Sequence, residues 1–380
     1  MRATFRLGRI AGVRVGVHWS VLVIATVIVV GLAHGRLPDA HPGRPQAAYW
    51  VLGVLTAVVF LMSLLAHELA HAVVARRNGV EVDDIVLWML GGVARLKGEA
   101  ATPGAELRIA GVGPLVSLVL GGAFTVAAGV VNAAAGRGLA VEALVWLAVI
   151  NILLGVFNAI PAAPLDGGRL LLAALWWRSG DRLRAMAGAA RAGRVFGWFL
   201  ALLGVVRLLD GAGVGGLWLV LIGWFLVAAA TAEGRQAQLR ETLTGIPVRN
   251  AMTREPVTMP QSLTLAEFLG DPRHHLVHSA FPVVDAMGTP LGLVTVRAAR
   301  QVPAGRRRTT SVGDVMLPRP EVVVVAPDDE LADLVPKLAP APEYRALVVD
   351  GERLVGMVSG ADIERMVTWL VTTYPRRRTG

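Results

Sequence analysis

Long uncharged stretches fill this 380-residue chain up to about residue 232. One of them, Phe60 to Arg77, carries His67, Glu68 and His71 inside an otherwise apolar run. Imidazole and carboxylate groups are costly in lipid, so three of them together point to function. On a helix, His67 and His71 stand one turn apart on one face, and two ring nitrogens then reach a single metal ion. Glu68, beside the first histidine, stands where a general base acts on a metal-bound water. The plainer reading is a pair of polar residues facing a helix bundle.

Composition narrows the choice. The chain is 54% hydrophobic and 17% charged, too apolar for an ordinary soluble protein, and its length leaves room for two or three domains. It has no cysteine, so disulfides and thiolate metal sites are excluded and any transition metal must be held by His, Asp or Glu. The net charge is +9, but the arginines cluster at the ends of apolar runs. That pattern belongs to membrane topology rather than to nucleic-acid binding.

Taken in order, the basic stretch Met1 to Arg14 precedes an apolar run from Val15 to about Ala33. A signal peptide is one reading; a retained first span is favoured, because about 19 residues suffice to cross. The second run, Ala47 to Ala75, would reach roughly 44 Å as a helix and must tilt, break or project. Asn78 to Ala101 holds two β-prone pieces, Asp84 to Met89 and Val93 to Leu96, around Gly91 and Gly92, which signals a hairpin. Polar backbone at membrane depth lines a cavity or is shielded, so this hairpin offers a strand edge to an extended peptide. An ordinary surface loop is the alternative. Further runs at Leu107–Ala134, Val141–Ile160, Val195–Leu209 and Val214–Ala232 bring the spans to about six. The prolines after Ile160 should end the fourth and leave an irregular segment carrying Asp166.

Arginine placement puts the N-terminus inside. The second and fourth spans then both run inward, so the histidines and Asp166 end at the same cytoplasmic face. Two histidines, one carboxylate and a water make an open catalytic zinc site, although an aspartate in a Pro-Leu-Asp-Gly-Gly turn also serves as a simple helix-end residue. His18, His34, His41, His274, His275 and His278 have no comparable surroundings.

HELAH at 67–71, with FNAIPAAPLDGG at 157–168, resembles the site-2 protease family of intramembrane zinc metalloproteases. LWMLGGVARL at 87–96 and IAGVGPLVSL at 109–118 are similar to that family's membrane hairpin and third-helix motif. The resemblance covers about residues 10–232. It implies that His67, His71 and Asp166 bind one Zn2+ and that Glu68 activates water. It also implies that Asn158 positions substrate or stabilises the oxyanion, with Gly91 and Gly92 in the hairpin that holds the unwound peptide. The first motif has alanine where relatives often have glycine, a departure that touches no ligand.

From Thr244 the composition turns globular, with a repeat at an offset of about 64 residues. VRNAM at 248–252 matches VGDVM at 312–316, FPVVD at 281–285 matches ALVVD at 346–350, and GLVT at 292–295 matches GMVS at 356–359. The stretch resembles a tandem CBS-domain pair. Such pairs often bind adenine nucleotides through a Ser or Thr and an Asp three residues later. Ser359 and Asp362 fit that pattern; Thr295 does not, because Ala298 stands at its Asp position. A module used only for dimerisation or docking is the equal alternative.

The expected architecture is an α-helical polytopic membrane domain at 1–235, with a short membrane-associated β-hairpin, and a linker at 236–247. An α/β tandem CBS module at 248–372 follows, with repeats at about 248–305 and 312–370, and then a basic tail at 373–380. The expected protein is a zinc endopeptidase of the plasma membrane with its N-terminus and CBS module in the cytoplasm. Its expected partners are the lipid bilayer, a single-span substrate such as an anti-sigma factor, AMP, ADP or ATP at the CBS module, and a second copy through that module. The rival is a CBS-gated transporter or channel using His67, Glu68 and His71 as an ion path.

Overall fold

A computed structural model describes residues 4–89, 91–211, 213–271, 278–338 and 342–373. His274, His275 and the basic ending Arg376 to Arg378 lie outside the described residues. The chain forms two compact units, Met1–Arg235 and Gln236–Gly380.

The first unit begins with a β-hairpin, β1 (Phe5–Ile10) and β2 (Val13–Val17). The start of the first apolar run is therefore a strand. The alternation was present in the sequence: Val13 and Val15 are buried while Arg14 between them is exposed, a period of two. Ala11 and Gly12 both take positive φ, 49° and 78°, as a tight hairpin turn requires. The apolar run then continues as α1 (Val21–Gly31), a π-helical turn at Leu32–Arg36 and α2 (Leu37–Ala40).

α3 (Gln46–Arg77) carries the histidine pair. At 1.5 Å per residue it is about 48 Å long and outreaches a hydrocarbon core of about 30 Å. β3 (Glu81–Trp88) and β4 (Gly91–Lys97) follow. The hairpin is present, but its glycines are not its turn: Gly91 pairs with Trp88 and Gly92 with Leu87. The four strands form one sheet in the order β1-β2-β3-β4, with β2 and β3 parallel and β4 at an outer edge.

α4 (Pro103–Ala135) and α5 (Leu139–Asn158) complete the core around α3. α6 (Asp166–Ser179), α7 (Arg182–Leu209) and α8 (Gly213–Leu243) follow. Asp166 opens a helix and does not lie in an irregular segment; only Ala159 to Leu165 is irregular. Among the described residues, six helical stretches are long and apolar enough to cross a membrane: Val21–Ala40, α3, α4, α5, α7 and α8. Their outward side chains, among them Val27, Val51, Val119, Trp198 and Leu202, are exposed and apolar, as lipid contact demands.

The second unit holds two four-stranded sheets. One contains Met259–Pro260, Ala280–Val284, Pro290–Thr295 and Leu317–Pro318; the other contains Val323–Val325, Arg345–Asp350, Arg353–Ser359 and Thr253–Arg254. Each sheet thus takes its last strand from the other sequence repeat, which locks the two repeats into one module. Two of its short helices start with capping boxes, Thr264 with Glu267 and Ser311 with Asp314. Those hydrogen bonds hold the Glu267 and Asp314 carboxyls below the usual carboxylate range.

Candidate metal centre

α3 presents His67 and His71 one turn apart, with 3% and 8% exposure. α6 brings Asp166 to them across ninety-nine positions of chain. The Nε2 atoms of the two histidines are 3.2 Å apart, and Asp166 Oδ2 is 3.2 Å from each. Zinc–nitrogen distances of about 2.0–2.1 Å put the donors of a tetrahedral site about 3.3 Å apart. The triangle is therefore one face of such a tetrahedron.

The outer ring nitrogens decide what the inner ones can do. His71 Nδ1–H donates to the Ile109 carbonyl at 2.6 Å. His67 Nδ1 and Ser117 Oγ are hydrogen-bonded at 2.9 Å. The carbonyl can only accept, so the neutral His71 ring is left with an Nε2 lone pair facing the carboxylate, and a neutral His67 that donates from Nδ1 to the serine does the same. Three acceptors at this separation repel one another unless a cation sits among them, so the donor set fits a divalent metal.

Two glycines shape the space. A Cβ at Gly113 of α4 would lie 2.0 Å from His71 Nε2 and 2.7 Å from His67 Nε2. A Cβ at Gly92 of β4 would lie 2.1 Å from Glu68 Cγ. The Gly92 backbone also hydrogen-bonds the Glu68 carboxylate, which lies within electrostatic range of both histidines and Asp166. At α6, Gly167 and Gly168 let the Ala159–Leu165 turn fold over the helix start: added Cβ atoms would meet the Ile160 oxygen at 2.1 Å and the Ala163 nitrogen at 2.4 Å.

Of the sequence candidates, His67, His71, Asp166, Glu68 and Gly92 come together. Gly91 lies beside them in β4, at a φ of 139°. Asn158 ends α5 and donates to the Leu154 carbonyl at 3.0 Å; among the described residues it makes no hydrogen bond to the four polar side chains. His18 lies apart, bonded to Ser20. Sequence reasoning missed Ile109, Gly113 and Ser117. Their signal was a spacing of four along α4, which sets all three on one face.

In the second unit, Ser359 and Asp362 bond each other. Asp362 Oδ2 accepts from the Ser359 backbone at 2.9 Å and from its hydroxyl at 2.6 Å. This is a helix cap on Gly360–Thr373, with Arg365 3.3 Å from the same carboxylate. The two residues also line a cleft of 320 Å³ with Thr253, His278, Arg345 and Arg365. Thr295 caps Val296–Gln301, accepting from the Ala298 nitrogen.

A pair of helical histidines, an adjacent glutamate and a distant aspartate, set among spanning helices, define a membrane-embedded metalloprotease. The comparisons agree. The profile of Peptidase family M50 matches residues 55–135 and 120–202, and that of the CBS domain matches 248–304 and 312–367. The zinc metalloprotease Rip3 of Mycobacterium tuberculosis (strain ATCC 25618 / H37Rv) is 46% identical over 97% of this chain and 93% of its own length. The zinc metalloprotease sll0528 of Synechocystis is 31% identical over 96% of this chain and 95% of its own. Among solved structures, the site-2 protease of Methanocaldococcus jannaschii is 29% identical, covering 61% of this chain and 95% of that one, with a TM-score of 0.41.

The chain belongs to the M50 peptidases of the site-2 protease type, with a tandem CBS pair appended. It is a multi-pass zinc metalloprotease, and the transporter reading falls away.

Proposed function

We propose that this protease cleaves single-span membrane proteins within or beside the bilayer, an anti-sigma factor being the substrate type expected from the family. The observation that carries the reading is the equilateral triangle of His67, His71 and Asp166 at 3.2 Å. In it these three residues are the zinc ligands and Glu68 is the general base. Bound zinc supplies a Lewis acid beside the scissile carbonyl and makes water acidic enough to be used at neutral pH. Glu68 takes the proton from the attacking water and returns it to the departing amine. The Gly92 hydrogen bond holds the Glu68 carboxylate in one orientation while it does so.

The substrate peptide lies extended along β4, an outer strand with Gly91 and Gly92 at the end nearest Glu68. A helical substrate hides its amides, and pairing with a strand edge replaces the lost bonds. Asn158, at the end of α5, orients the peptide on family grounds.

The N-terminus and the CBS module are cytoplasmic in this reading, in the plasma membrane, with the catalytic domain at 1–235 and the CBS module at 248–372. The cleft at Ser359 and Asp362 takes an adenine nucleotide, and the module pairs with a second copy. The absence of native cysteine makes topology testable: single cysteines at Arg44 and Arg178 should label from opposite sides of sealed vesicles, and labelling from one side would refute the arrangement. The catalytic reading is tested in proteoliposomes with a single-span substrate. Glu68→Gln should insert, keep zinc and cleave nothing; full cleavage would refute the role of Glu68.

A further inference from the structure

An ion pair between a buried glutamate and a half-buried arginine lies one helical turn from the centre and has no part in the chemistry above. Glu106, in the first turn of α4, is 1% exposed. Its Oε1 accepts from Arg169 Nε of α6 at 2.9 Å. Its Oε2 is buried with no hydrogen-bond partner among the described residues. Glu233 of α8 lies within electrostatic range of both members.

Stability alone explains this poorly. Desolvation of the buried Glu106 carboxylate offsets much of the attraction, and apolar replacements of buried charges often hold a fold as well. Arg169 also stands in the first turn of α6, the end of a helix that disfavours a cation.

Position supplies the reason. Glu106 is three residues before Ile109, whose carbonyl fixes His71. Arg169 is three residues after Asp166, which meets both histidines. Each member of the pair therefore sits one turn from a group that sets the metal triangle. Resting on the zinc reading above, we propose that Glu106 and Arg169 are positioning residues: their ion pair clamps α4 to α6 and fixes Asp166 relative to His71. Neither touches substrate or metal. Loss of the clamp lets α6 drift, and the carboxylate leaves the tetrahedral face.

The test uses the full chain in detergent, with zinc affinity read by competition against a chelator and kcat and KM read on a single-span substrate. Arg169→Ala should weaken zinc about 10- to 100-fold, the range for residues that orient metal ligands, and lower kcat with KM held. Arg169→Lys keeps the charge without the fork and should recover part of both losses. Arg182→Ala breaks another ion pair of the same unit, with Glu99 at 2.7 Å, and should leave zinc affinity unchanged. Wild-type zinc affinity in Arg169→Ala, with the wild type binding zinc normally, overturns the clamp alone. An equal loss in Arg182→Ala reduces it to general stability and overturns it too. A wild type that binds no zinc overturns the zinc reading and the clamp with it.

Discussion

The membrane centre and the CBS cleft both gather histidine, serine and acidic side chains, yet they differ in what those groups have left to bind. In the cleft, Asp362 spends one oxygen on the Ser359 backbone and hydroxyl and the other near Arg365 and Thr253. That carboxylate is already satisfied. At the membrane centre, Ser117 and the Ile109 carbonyl occupy the outer nitrogens, and three inner acceptors converge with no donor among them. The first arrangement is stable as it stands and takes a ligand only by trading bonds. The second has a donor set that fits a divalent cation. The same residue types thus form a helix cap in one place and a set of converging ligand atoms in the other.

Substitutions should break this contrast in order of size. Gly113→Ala places a methyl where the triangle closes and should abolish zinc binding and cleavage together, measured by metal content and substrate turnover. Gly92→Ala pushes on Glu68 instead. It should lower kcat by about 100-fold or more, the contribution of a positioned general base, while metal analysis finds zinc retained. Equal zinc loss in both variants would erase the distinction between ligand space and base space. Ser117→Ala removes only the partner of His67 and should weaken zinc about 10- to 100-fold in chelator competition.

Ser311→Ala removes a cap in the CBS module. It should cost about 1 kcal/mol of the module's stability, read by thermal unfolding of the full chain, with zinc content unchanged. The smallest effect follows pH. The Glu267 and Asp314 carboxyls are held below their ordinary values by Thr264 and Ser311. Their contribution is present above the ordinary carboxylate range and fades as pH falls through the lowered values. The Ser311→Ala difference should therefore shrink on acidification below about pH 4; growth of that difference would contradict the capping account.

Much of this was legible before the fold was seen. Apolar length gave the spans, because a membrane helix must satisfy its backbone internally and so leaves a long uniform run. The i, i+4 histidines gave the site, because helical spacing alone brings them to one face. Asp166 was reachable because alternating spans return the chain after the fourth run to the end where the second stops. The N-terminal hairpin was hidden because Val13 to Val17 reads as the start of an apolar run, and only its alternation separates strand from helix. Ser117, Ile109 and Gly113 were hidden for another reason. Their spacing of four marks one face of α4, but a serine, a backbone carbonyl and an absent side chain do not say what that face meets until tertiary contact does. The Gly91-Gly92 pair was taken for a turn, whereas Gly92 is small to admit Glu68.

The central claim is that His67, His71 and Asp166 form one metal centre. Zinc content of the purified full chain, compared between wild type, Asp166→Ala and Glu68→Gln, tests it most directly. The account predicts one zinc per wild-type chain, one per Glu68→Gln chain and none in Asp166→Ala. Stoichiometric zinc in Asp166→Ala would contradict it.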